Sequence, residues 1–141
     1  MIATRSRLAG IFATLLVATL LSACLRVQPV QNVSDERFPA VVSAKLSLDE
    51  IADAISVAGA GRQDSWVFTR QDSNLLTGEL NVRQHYAKVR IPFDISKFSI
   101  IYEDSRVLKY DGASIHRNYN KWVELLRQDI LKSVSAAAAR K

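Results

Sequence analysis

The chain predicts an α+β fold, an antiparallel β-meander sheet with two helices packed on one face in the order β-α-β-β-β-β-α. Three observations carry that expectation. Apolar residues alternate with a period of two from Trp66 to Tyr102, a capped amphipathic stretch precedes them, and a run of about five helical turns follows.

Ala40 to Ala44 reads as a short strand at the start of the domain. Ser47 with Glu50 three residues later makes a capping box, and Leu46 with Ile51 forms a hydrophobic staple, so a helix starts there. Leu48, Ile51, Ile55 and Ala58 give it one apolar stripe, and Gly59 and Gly61 stop it.

The strands come next. Trp66 and Phe68 lead one; Leu76, Gly78, Leu80 and Val82 alternate with polar residues in another; Ala87, Val89, Ile91 and Phe93 follow, and then Phe98, Ile100 and Tyr102. The joins at Asp72-Ser73-Asn74, Arg83-Gln84 and Asp94 to Lys97 are short and polar, which favours hairpins over crossovers. Glu103 to Arg106 reads as a tight turn, with Val107 to Tyr110 as a return strand closed by Asp111-Gly112. Ile115, Tyr119, Trp122, Val123, Leu126, Ile130 and Val134 then recur at helical spacing. Ala136 to Ala139 reads as a fraying helix end, and Trp66 and Trp122 read as core.

The first residues follow another logic. Arg5 and Arg7 precede an uncharged apolar run from Leu8 to Leu21, too short to span a bilayer comfortably as a permanent helix, which needs about 20 residues. The small pair Ser22-Ala23 supplies a cleavage site, so the segment reads as an export signal. Leu21-Ser22-Ala23-Cys24 also resembles the lipobox of bacterial lipoproteins. That resemblance implies a diacylglyceryl group on the sulfur of Cys24 and a further acyl chain on the new amino terminus. Two or three chains hold firmly where one holds weakly. The alternatives are an ordinary cleaved signal with Cys24 near the cut, or a buried cysteine. With one cysteine in the chain, an internal disulfide is excluded.

The expected organisation is thus a signal peptide over 1–23, Cys24 with a flexible tether over 24–38, and a single α+β domain over 39–141. The tether is polar, contains Pro29 and shows no sustained period; such a segment has an end-to-end distance of about 20 Å.

Catalytic signatures are scarce. The sequence has no phosphate-binding glycine loop, no nucleophile elbow and no zinc-binding histidine pair, and it calls for no cofactor or metal. His85 falls on the apolar face of its strand and His116 near the start of the final helix, each standing alone. Zinc ordinarily takes three or four ligands. Asp94, Glu103 and Asp104 fall in expected turns, where backbone hydrogen bonding explains them better than acid–base work. If the apolar residues of the central strands face the helices, Arg83, Tyr86, Lys88 and Arg90 share the opposite side with Glu79 and Asn81. Those side chains suit an anionic headgroup, a glycan phosphate or an acidic partner, although an uncovered sheet face is polar in any case.

Trp66, Gly78, Arg83-x-His85-x-Ala87-x-Val89-x-Ile91, Ser99-Ile100-x-Tyr102, Leu108-x-Tyr110, Ile115-His116 and Tyr119-Asn120-x-Trp122-Val123 are together similar to a family of small, uncharacterised proteobacterial lipoproteins. The resemblance implies an envelope location and brings no activity with it. Under the sorting behaviour of enterobacterial lipoproteins, Leu25 after Cys24 implies the outer membrane. The expected function is a non-enzymatic envelope lipoprotein whose periplasm-facing domain binds a protein partner. The alternative is a module for an anionic envelope glycan or lipid headgroup, and a third reading is a hydrolase built around His85. Export makes nucleic acid an unsuitable partner.

Overall fold

The computed structural model describes residues 26–141. Cys24 and the expected signal peptide lie outside the described residues. The elements run β1 (Val27–Pro29), β2 (Val33–Arg37), α1 (Ala40–Lys45), α2 (Leu48–Ser56), β3 (Val67–Asp72), β4 (Leu75–Val82), β5 (His85–Pro92), β6 (Lys97–Arg106), β7 (Ser114–His116) and α3 (Arg117–Ala139). Five strands form an antiparallel sheet in the order β2-β6-β5-β4-β3, and β1 pairs with β7 as a separate ribbon. The fold is of the α+β class, as expected.

Alternation decides which side of the sheet is covered. Leu76, Ala87, Val89, Ile91, Phe98 and Ile100 point to one side and are buried in a single cluster with Ile51 and Ile55 of α2 and Tyr119, Val123, Leu126, Ile130 and Val134 of α3. Gly78 lies on this covered side, where a Cβ would come within 3.2 Å of Phe68 and 3.3 Å of Trp66, so the missing side chain is what lets both rings lie across the strand.

Helix α2 starts as its sequence dictates. The Ser47 hydroxyl accepts a hydrogen bond from the Glu50 amide at 3.3 Å, and the Glu50 carboxylate accepts one from the Ser47 amide at 2.9 Å. The helix is then fixed to α3 by the Ser133 hydroxyl, which donates to the Ala54 carbonyl at 2.6 Å. Helix α3 is about 35 Å long at 1.5 Å per residue. It does not fray at the alanines: Ala138 is fully buried, and Lys141 pairs with Glu50.

Four further expectations are corrected. The strand expected at Ala40 to Ala44 is the short helix α1, which follows Pro39 and buries only Val42. An apolar run of five residues does not distinguish strand from helix, and proline suits the start of a helix because its φ is preset. The tether expected up to residue 38 is instead mostly strand. Val27 and Pro29 pair with His116 and Ser114, while Val33 and Arg37 pair with Ile100 and Lys97. Its polar composition is that of an edge strand, open to water on its free side.

Residues 103–106 do not turn. β6 continues through them with a bulge, since Lys88 pairs with Asp104 and Val89 with Tyr102, leaving Glu103 without a partner of its own. Finally, Val107 to Tyr110 is an irregular turn in which Val107 and Lys109 adopt positive φ, and the returning strand is β7. What holds the turn is Leu108, which is buried and accepts a hydrogen bond from the His116 amide at 2.8 Å.

One buried amide ties the first described residues to the rest. The Asn120 side chain accepts from the Gln31 amide at 3.0 Å and donates to the Pro29 carbonyl at 2.9 Å, from a position only 6% exposed. Arg127 adds an outer brace, with its guanidinium 3.3 Å from Glu36 of β2 and 2.8 Å from Glu124.

Asn120→Leu leaves the Gln31 amide and the Pro29 carbonyl without partners. The expected loss is about 1–3 kcal/mol in urea unfolding, with amide exchange quickening first across residues 27–37. Tyr119 gives the opposite case, because its buried hydroxyl has no hydrogen-bond partner among the described residues. Tyr119→Phe is expected to raise stability by about 1 kcal/mol, and an equal drop in the same unfolding assay would show that the hydroxyl is satisfied in solution.

Candidate functional site

The open side of the sheet is built by β5 and its two neighbours. Tyr86, Lys88 and Arg90 alternate with buried Ala87 and Val89, so they share this side. Cross-strand register then sets three rows: Asn81, Tyr86 and Arg106; Glu79, Lys88 and Asp104; Thr77, Arg90 and Ile101. Arg83 is not among them. It occupies the two-residue turn between the paired Val82 and His85, at φ 57°. Three of the four expected residues are therefore brought together, and the fourth is displaced to the end of the sheet.

The charges within the rows are largely spoken for. Lys88 Nζ lies 4.0 Å from Glu79 and 3.8 Å from Glu103, so its ammonium sits between two carboxylates. The Arg106 guanidinium carbon stands 4.1 Å from the centre of the Tyr86 ring, a cation–π contact. Burial pushes the Tyr86 phenol up, and the Glu79 carboxylate pushes it the same way, so the ring presents a neutral hydroxyl. Arg90 is exposed, with no carboxylate in ion-pair range among the described residues. The resulting surface carries both signs of charge in register and has little net attraction for an anion.

The acidic residues weighed for catalysis serve the backbone instead. Asp94 accepts hydrogen bonds from the Ser96 amide at 2.6 Å, the Ser96 hydroxyl at 2.8 Å and the Lys97 amide at 2.9 Å. Burial opposes ionisation of its carboxyl, but these donors outweigh burial and hold Asp94 below the usual carboxylate range. Asp104 accepts from the Ser105 amide at 2.8 Å. Glu103 faces Lys88.

The two histidines, solitary in sequence, meet in space. Their ring centres are 6.4 Å apart, and His85 also lies edge-on to Trp122 at 6.3 Å. No local signal connects positions 85 and 116; the contact exists because the β4–β5 turn and the start of α3 reach the same end of the domain. Among the described residues no group of three or more His, Cys, Asp or Glu is arranged to hold a metal. Burial lowers the pKa of His116, and the nearby His85, Arg117, Lys109 and Arg26 lower it further. A site ringed by cations is hostile to a metal ion.

A cleft of about 250 Å³ is the feature that sequence reasoning passed over. Trp66 and Leu80 form its floor, Trp122 and Leu125 of α3 one wall, and the loop after α2 the other. Both tryptophans, expected in the core, are half-buried and pack partly against it. Arg62 closes one side through paired hydrogen bonds to Asp129 at 2.6 and 2.7 Å. Periodicity assigned the tryptophans to inward faces correctly. That both remain partly open to the cleft is set by packing, which spacing does not encode.

His116 also caps α3, its Nδ1 accepting from the Asn118 amide at 3.3 Å. Protonation at that nitrogen would turn an acceptor into a donor and break the cap. Because the folded state holds His116 below its ordinary value of 6.5, it binds fewer protons than the unfolded chain. Stability is therefore expected to fall as pH drops below about 6.5. His116→Asn keeps a capping acceptor without titrating, so its stability between pH 5 and 7 is expected to be flatter than that of the wild type, as read by chemical denaturation across that range. No protein-family model matches the chain, and no curated protein or solved structure matches it.

Proposed function

We propose that this chain is a non-enzymatic lipoprotein of the cell envelope, anchored through Cys24 at the inner leaflet of the outer membrane, whose periplasm-facing domain docks a protein partner as an accessory or assembly factor. The observation that carries the reading is the open side of the sheet. It sets Lys88 between the Glu79 and Glu103 carboxylates and Arg106 over Tyr86 in the next row, with Val67 beside them at 67% exposure. A surface of paired charges with an apolar residue at its margin fits another protein, whose own charges can match both signs and select against wrong partners. Free anions gain little there, because Lys88 is already flanked by carboxylates.

A second reading remains tied to Arg90, the exposed cation of the row. A glycan phosphate or lipid headgroup could reach it, with Tyr86 and Lys88 alongside and Arg83 at the turn beyond them. The chain then acts as a binding module for an anionic envelope component.

The two readings separate in cells. A photo-crosslinking side chain at position 90, followed by mass spectrometry, is expected to capture one discrete envelope protein. Lipid or glycan adducts alone would replace the first reading with the second, and the absence of any adduct would leave this side as solvated surface and sink both.

A further inference from the structure

We infer that the end of the domain nearest Cys24 is a docking surface for an anionic lipid bilayer, formed by Arg26, Arg83, Lys109 and Arg117 around the exposed Val107. The inference builds on the anchoring of Cys24 proposed above and adds a fixed orientation to it.

Topology gathers these residues. The β4–β5 turn with Arg83, the end of β6 at Arg106, the following turn and the start of α3 all reach one end of the domain. The links are explicit: Val82 pairs with His85, Tyr86 with Arg106, and His85 lies 6.4 Å from His116. The His116 amide donates to the Leu108 carbonyl at 2.8 Å, and the Arg117 amide donates to the Arg26 carbonyl at 2.8 Å. Only Leu25 separates Arg26 from Cys24, a reach of at most about 7 Å. From Val27 on, the expected tether is part of the fold and does not carry the domain away: β1 begins there and is held by β7 and Asn120. Acyl chains on Cys24 would therefore bring headgroup phosphates to this end, within about one Debye length of 8 Å.

Charge is distributed to match. At the far end Arg70 pairs with Asp49 at 2.7 Å, Lys97 with Asp35 at 2.8 Å and Lys141 with Glu50, while Lys45, Lys132 and Arg140 form no ion pair among the described residues. Arg26, Arg83, Lys109 and Arg117 are all exposed and form no ion pair among the described residues. Two carboxylates lie at this end: Asp104 accepts from the Ser105 amide, and Asp111 from the Ser114 and Ala113 amides at 2.7 and 3.0 Å, which holds Asp111 below the usual carboxylate range, while Glu103 faces Lys88. With Arg106 counted, five cations against these two carboxylates leave the end at a net +3.

Apolar exposure falls at the same place. Val107 is 58% exposed at φ 60°, and Tyr110 is 42% exposed with its ring tilted against Tyr102, centres 4.2 Å apart. A β-branched residue in the left-handed region is strained and persists only when its surroundings hold it there. Here buried Leu108 fixes the turn and leaves Val107 facing outward between cations. Basic side chains with an aliphatic group and a tyrosine suit the interface between headgroups and acyl chains.

The test is flotation of the full chain with vesicles of phosphatidylcholine alone or with phosphatidylglycerol added, at low salt. The wild type is expected to bind the anionic vesicles on the order of 100-fold more tightly, each of the net three positive charges at this end contributing about fivefold. Arg26→Gln with Lys109→Gln and Arg117→Gln should remove most of that preference. Lys45→Gln with Lys132→Gln and Arg140→Gln removes equal charge from the other end and should keep it. Lys109→Gln alone, on a solvent-facing turn, should cost about fivefold and guards against misfolding of the triple variant. A wild-type ratio near one, or equal losses in the two triple variants, overturns the inference. Binding to the neutral vesicles reads the anchor separately: anionic preference without it sinks the anchoring and leaves this surface standing, whereas neutral binding with a ratio near one does the reverse.

Discussion

Everything proposed for this molecule depends on how its first described residues are held. The Asn120 amide takes both a donor and an acceptor from the segment that precedes β2, and it does so from a nearly buried position where either group left alone would be costly. With β1 zipped to β7, the chain enters the fold at a fixed point beside the start of α3. From Val27 onward, the segment expected as a flexible stalk is part of the fold.

The sheet supplies the second constraint. One side is sealed by α2 and α3, whose buried stripe from Tyr119 to Val134 meets the apolar side chains of β4 to β6. The other side has no helix and must be compatible with water, which it achieves by pairing charges across strands. Such pairs are worth little to stability at an exposed site. Their consequence is chemical: they remove the excess positive charge that a row of arginine, tyrosine and lysine suggests when read along one strand.

Charge that is cancelled on the sheet survives at its end. Turns and termini have no cross-strand partner to neutralise them, so Arg26, Arg83, Lys109 and Arg117 form no ion pair among the described residues. The division of the surface into a mixed-sign side and a basic end thus follows from where strands stop. A partner that matches both signs suits the side, and an anionic sheet of phosphates suits the end.

Much of this was legible along the chain. The capping box at Ser47, the period of two through the hairpins and the helical stripe after Ile115 are local, and hydrogen bonding and burial act on them within a few residues. The lipobox-like Leu21 to Cys24 is local as well and lies outside the described residues. Spacing placed Tyr86, Lys88 and Arg90 on one side because alternation requires it. What only the tertiary structure decided was pairing at a distance: Lys88 between Glu79 and Glu103, His85 beside His116, Trp66 and Trp122 across a cleft, and the polar stretch after residue 26 recruited as strands. Each depends on partners tens of residues away, chosen by the closure of one core, and no period or composition in a single segment records that choice.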